Sequence, residues 1–136
     1  MLVAGALVAI QPSVNARLAQ KTGLLESSCI SFTVGTTVLL LLASFFGRGS
    51  FRAITQVSWW ELTGGLMGAF YVSTVILIVP RIGTAAAMGV TITGQLLTAL
   101  ILDHFQLFGF RGIPLDLTRL SGAVLLLLGT WLIIRN

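Results

Sequence analysis

The sequence predicts an all-α integral membrane protein with about five transmembrane helices per chain, and three observations carry that expectation. Hydrophobic residues make up 56% of the 136 positions, charged residues only 9%, and the mean hydropathy is +1.00. A soluble domain is about 45–50% apolar and about 25% charged, so this chain lacks the charge to cover a globular surface in water. The apolar residues also fall in long runs, with every charged residue at or near the end of one.

A helix crossing about 30 Å of hydrocarbon needs about 20 mostly apolar residues. The first run, about 2–18, is short and broken by Pro12. The second is about 28–46, the third about 59–79, the fourth about 82–102 and the fifth about 118–134. For the short first and last runs, local bilayer thinning or snorkelling of Arg17 and Arg135 is cheaper than tilt. Lys21-Thr22-Gly23 ends the first helix, and Glu26-Ser27-Ser28 is placed to cap the second. Gly47-Arg48-Gly49-Ser50 opens the next loop, and Pro80-Arg81-Ile82-Gly83 reads as a tight turn between the third and fourth helices. The longest polar-aromatic connection runs from Gly109 to Asp116. Trp59, Trp60 and Trp131 lie at expected water boundaries, where aromatic belts form. A single transmembrane domain is expected over 1–136, without an internal repeat or a separate soluble domain.

Composition also excludes several functions. Eight Lys+Arg against four Asp+Glu give a net charge of +4, but no basic cluster or stripe tracks a phosphate backbone, so no nucleic-acid partner is expected. Cys29 is the lone cysteine and His104 the lone histidine; neither a disulfide within the chain nor a metal site is expected, and no cofactor. No Ser–His pair, metal cluster or buried carboxylate dyad supports an intramembrane enzyme. The N-terminus lacks a basic leader region, and Gln-Pro interrupts the place of a signal peptide's apolar core, so no cleavable targeting segment is expected.

Charge placement addresses orientation. Five spans put the termini on opposite sides of the membrane. Arg48, Arg52, Arg111 and Arg119 then fall on one side and Arg17, Lys21, Arg81 and Arg135 on the other, four against four. A membrane protein orients by an excess of Lys and Arg on its cytoplasmic side. An even balance predicts insertion both ways, unless one shifted boundary hides a bias.

Inside the spans the polar groups are neutral. An ionisable residue in mid-membrane is a functional site by default, and none is expected there. Gln11 and Asn15 are four residues apart and share a helix face. Pro12 between them removes a backbone donor and frees a carbonyl near Val8. Irregular backbone at membrane depth is tolerated when buried in protein or lining a cavity. Thr91, Gln95 and Thr98 form a stripe on the fourth helix, Ser31 and Gly35 share a face of the second with Thr36 beside them, and Tyr71 lies mid-span in the third. Gln11, Asn15, Ser31, Tyr71, Thr91 and Gln95 are therefore candidate substrate-contacting residues. For any single Ser or Thr the competing reading is packing glue, since interhelical hydrogen bonds contribute only about 0.6 kcal/mol on average. Gly64, Gly68, Gly122 and Gly129 are spaced for close helix approach, within the chain or between copies. Glu26 and Glu61 lie near helix N-termini, where the dipole favours a carboxylate, and Asp103 and His104 close the fourth helix. All four are gate candidates, with caps, interface anchors and a solvated helix end as the structural alternatives.

The motifs also carry a family resemblance. Gly5…Ile10-Gln11-x-x-x-Asn15-Ala16-x-Leu18 is followed by Ser31-Phe32-x-Val34-Gly35-Thr36 and Trp59-Trp60…Gly64-Gly65-x-x-Gly68-Ala69. Val79-Pro80-Arg81-Ile82-Gly83, Gly94-Gln95-Leu96…Asp103-His104-Phe105 and Arg119-Leu120-x-Gly122…Leu128-Gly129 complete the pattern. This order resembles the YdcZ-type branch of the drug/metabolite transporter superfamily over nearly the whole chain. The resemblance implies a half-size inner-membrane transporter of five helices that pairs as a two-fold dimer, commonly of oppositely oriented chains, and moves small metabolites or drugs. Related small multidrug resistance proteins place a carboxylate in their first helix; this one has Gln11 and Asn15, so proton-coupled cation export does not carry over.

The reading is a dual-topology, antiparallel homodimer in lipid, with a small-molecule substrate bound between protomers and moved by alternating access. An uncoupled facilitator or channel, and a non-transporting subunit of a larger membrane complex, are the alternatives.

Overall fold

The computed structural model describes residues 1–109 and 112–135. Five α-helices, joined by 3₁₀ turns and short coil, are long and apolar enough to cross a membrane. They are α1 (Leu2–Thr22), α2 (Leu24–Phe46), α3 (Thr63–Ile82), α4 (Thr84–His104) and α5 (Leu117–Ile134). No strand occurs among the described residues. The chain forms two compact units, Met1–Arg81 and Ile82–Asn136.

In the first unit α1 and α2 form a hairpin closed by one residue, Gly23. At φ 104° and ψ 160° its backbone occupies a region open mainly to glycine. Its N–H still donates to the Ala19 carbonyl at 2.9 Å, and its carbonyl accepts from Ser27 N–H at 3.0 Å, so both helix ends are satisfied across the reversal. The expected cap Glu26-Ser27-Ser28 therefore lies inside α2 instead of before it. Glu26 keeps a place in the first turn, folded over Gly23.

Proline behaves differently from expectation at two points. α1 runs through Pro12 without a break, because proline's fixed φ near −65° is itself helical and only one backbone donor is lost. Pro80 likewise lies within α3, and the tight turn expected over four residues narrows to one non-helical residue, Gly83, at φ 85°.

Before α3, Phe51–Gln56 and Trp59–Leu62 form 3₁₀ turns. The second is closed by Glu61, whose carboxylate accepts from Ser58 N–H at 2.6 Å. Trp59–Ile82 makes one apolar stretch of 24 residues.

In the second unit α4 and α5 pack side by side. Small residues permit the approach: a Cβ on Gly89 would lie 3.3 Å from Thr130 Cγ2. The α4–α5 connection is tied to the end of α4. The Asp103 carbonyl accepts from Gln106 and Ile113 N–H, and His104 Nδ1 accepts from Leu115 N–H at 3.3 Å. Asp116 caps α5 through Arg119 N–H at 2.7 Å, and the Arg119 guanidinium reaches the Asp103 carboxylate at 3.2 Å. Within the expected longest polar-aromatic connection, and within the charge tally, Arg111 lies outside the described residues.

Large apolar side chains are exposed along every helix, among them Leu39, Leu41, Phe70 and Leu125. Water would not tolerate such a surface, whereas hydrocarbon does. At the far end of α5 the Arg135 guanidinium sits 5.1 Å from the Trp131 ring centroid, an amphipathic pair suited to the membrane boundary.

Candidate functional site

Asn15 is the polar centre of the first unit. It is 6% exposed, with Pro12 and Ala16 buried beside it on α1. Its carboxamide nitrogen donates to Ser31 Oγ on α2 at 3.1 Å. Its backbone carbonyl accepts from the hydroxyl of Ser27, a fully buried residue one turn earlier on α2, at 2.8 Å. Two bonds thus fix Asn15 to one helix, one through the side chain and one through the backbone. Further along, Ser28 donates to the Leu24 carbonyl at 3.1 Å and meets Ser73 Oγ of α3 at 3.0 Å. A hydroxyl carries one hydrogen, so in this arrangement Ser73 donates to Ser28.

Beside this ladder lies a recess of about 210 Å³ lined by Gln11, Ser31, Phe32, Gly35, Thr36, Leu39 and Val72. Its polar groups are an amide and two hydroxyls, and its walls are a phenyl ring and aliphatic chains. Ser31 accepts from Asn15, which leaves its hydroxyl hydrogen directed elsewhere. The recess therefore offers hydrogen-bonding atoms in an otherwise apolar wall and no formal charge among its lining residues.

Three of the six candidate contacts converge here: Gln11 and Ser31 in the lining, and Asn15 behind Ser31. Tyr71 neighbours Val72 on α3, and its buried hydroxyl meets no hydrogen-bond partner among the described residues. In the second unit Thr91 is half-buried and Gln95 exposed. Their stripe faces away from α5, because the α4 face toward α5 carries Gly89 and Thr93, and residues two apart on a helix point to opposite sides.

Sequence reasoning missed the polar pair of that second unit. Thr93 and Thr130, both buried, approach at 2.8 Å, and Thr93 donates to the Gly89 carbonyl at 2.8 Å. Thr130 Oγ1 also reaches the Gly89 carbonyl at 3.3 Å, so the two hydroxyls, with one hydrogen each, share that carbonyl and their mutual bond. No periodicity links two threonines on different helices. Ser27, Ser28 and Ser73 escaped notice similarly, because Ser27 and Ser28 read as a cap.

The glycines divide. A Cβ on Gly68 would rest 3.4 Å from the Phe32 ring, so this position packs α3 against α2. Gly64, Gly122 and Gly129 have open space where a Cβ would go. Of the gate candidates, Glu61 closes a turn, Asp103 pairs with Arg119 and His104 receives Leu115 N–H.

Five apolar helices and these neutral polar contacts define a multi-pass α-helical membrane protein. Over residues 1–132 the chain matches the family described as "Putative inner membrane exporter, YdcZ", and it belongs to that family. It is 28% identical over 143 aligned positions to inner membrane protein YdcZ of Escherichia coli (strain K12), covering 100% of this chain and 93% of that one. No solved structure matches it. The resemblance drawn from its motifs is thereby established, and the inner membrane is its location.

Proposed function

We propose that this chain is half of a secondary transporter that exports a small polar or amphipathic compound across the inner membrane. The observation that carries this reading is the recess at Gln11, Ser31 and Thr36, with Asn15 holding Ser31 from behind. An uncharged set of donors and acceptors in an apolar wall suits a solute with a carbonyl or hydroxyl group and an apolar body. The family description supports export as the direction.

Two chains inserted in opposite orientations supply the inverted symmetry on which alternating-access transporters are built, with the substrate at the interface between repeats. Equal numbers of Lys and Arg on the two sides support that arrangement. Gln95, on the α4 face turned from α5, is a separate candidate contact for substrate in this reading. The neutral lining also fits a facilitator that passes solute down its own gradient, and a pH or sodium gradient across proteoliposomes separates the two by its effect on rate.

The test begins with cells expressing the wild type, Gln11→Ala, Ser31→Ala or Gln95→Ala, screened for tolerance to a panel of neutral amphipathic toxins. Compounds that cells with the wild type tolerate better than cells lacking the protein are then assayed for flux in liposomes. Variants that assemble normally and transport every such compound at the wild-type rate overturn the assignment.

A further inference from the structure

A second cavity, in the other unit, is built unlike the first. It occupies about 460 Å³ between α4 and α5, with Asp103 and Arg119 among its lining residues. Ala99, Gly122 and Ala123 leave the space, and Leu96 and Leu126 line its deeper end. A Cβ on Gly122 meets nothing within 4 Å, so the hollow is open at that point.

Its depth and lining suit an acyl chain. From Arg119 to Leu126 a helix rises about 10 Å at about 1.5 Å per residue, within the roughly 15 Å depth of one leaflet of a 30 Å hydrocarbon core. Below its two charges the groove is lined by aliphatic and small residues, a slot along which extended hydrocarbon can lie.

The charges at its mouth are those of a zwitterion's complement. The Asp103–Arg119 contact is a single 3.2 Å bond, with the side chains 41% and 28% exposed respectively. Guanidinium has five N–H donors and carboxylate about four acceptor positions, so one mutual bond leaves most of both unused. A phosphate suits the guanidinium and a primary ammonium suits the carboxylate, each through charge-assisted hydrogen bonds. Asp103 and Arg119 sit at the last turn of α4 and the first turn of α5, the level of the headgroups. We propose that the α4–α5 groove is a binding site for one phospholipid with a primary-ammonium, zwitterionic headgroup, its acyl chain lying along Gly122 and Ala123.

Native mass spectrometry of the purified full chain, titrated with phosphatidylethanolamine, phosphatidylcholine or phosphatidylglycerol, tests this. Phosphatidylcholine keeps the phosphate but has no N–H, and phosphatidylglycerol has no cation. The wild type is expected to retain phosphatidylethanolamine about ten-fold more strongly than either, the ratio that roughly one charge-assisted hydrogen bond supplies. Asp103→Asn should erase that preference, and Arg119→Gln should weaken all three lipids. Gly122→Leu should fill the slot and remove bound lipid while leaving the ion pair in place. Equal retention of the three lipids by the wild type overturns the proposal, as does an unchanged preference in Asp103→Asn. So does a Gly122→Leu protein that changes its oligomeric state but not its lipid content, because the groove is then a subunit contact.

Discussion

Asn15 ties α1 to α2 and, in the proposed function, positions a substrate-contacting hydroxyl. Its carboxamide and carbonyl bind two serines of α2, Ser31 and Ser27, one helical turn apart. Replacement by Ala removes the donor to Ser31 but leaves the backbone acceptor for Ser27. A net hydrogen bond is worth about 0.5–1.5 kcal/mol, and 1.4 kcal/mol is about ten-fold in an equilibrium. Asn15→Ala should therefore cost little in assembly while lowering transport by up to about ten-fold, since Ser31 loses the bond that orients it toward the recess. Flux in liposomes beside thermal melting checks this; a fall in stability that alone explains the loss sinks the positioning role. Tyr71 gives the converse test. Deleting a buried hydroxyl that meets no partner among the described residues should be neutral or stabilising if its role is structural. If it donates to substrate, Tyr71→Phe should melt no lower than wild type yet transport several-fold more slowly. Gln11, Asn15 and Ser31 were legible because amides are rare in hydrocarbon and the four-residue spacing puts two of them on one face. The Asn15–Ser31 bond was not, since it depends on how α1 meets α2 across a one-residue turn.

Among the elements, the helices were readable from run length, and the joints between them were not. The apolar run covers about 2–18, and polar Gln20, Lys21 and Thr22 carry the helix on to the Lys21-Thr22-Gly23 end that the sequence signals. A backbone needs no apolar side chains to remain helical once started. Pro12 misled because its missing N–H was weighed above its compatible φ. The joints depend on glycine: at φ 104° and 85°, Gly23 and Gly83 adopt backbone that other residues reach at a cost of about 1–3 kcal/mol. Gly83→Ala, where open space surrounds the new Cβ, isolates the backbone term. It should lower stability by about 1–3 kcal/mol in a reversible unfolding titration. Gly5→Ala, in α1 and equally open, should instead be neutral or slightly stabilising. Equal effects at the two sites would contradict the conformational account. The Thr93–Thr130 pair is a weaker tie. Interhelical bonds in membranes average about 0.6 kcal/mol, so a Thr93→Val, Thr130→Val cycle should give a coupling below about 1 kcal/mol and leave α4 and α5 packed through Gly89.

At the scale of the whole molecule, charge balance governs how the chain enters the membrane. The tally of four Lys/Arg on each side follows from counting along five spans, and its proposed consequence, insertion both ways, involves two copies and a bilayer. The wild type should give signal from both C-terminal reporters, one active only in the cytoplasm and one only outside. Arg48→Gln with Arg52→Gln leaves two cations against four and should hold the C-terminus in the cytoplasm, following the positive-inside bias. Lys21→Gln with Arg81→Gln reverses that balance and should hold it outside. Expressed alone, each biased variant lacks an oppositely inserted mate and should fail to transport. Expressed together, the two should restore transport, although neither regains a lost charge. Arg48 and Arg52 lie by a 3₁₀ turn and Lys21 and Arg81 in last helical turns, away from the recess lining, so rescue reports orientation alone. A biased variant that transports by itself would rule out the antiparallel pair. If neither the separate nor the combined variants transport while both insert, opposite insertion is insufficient to form the working unit.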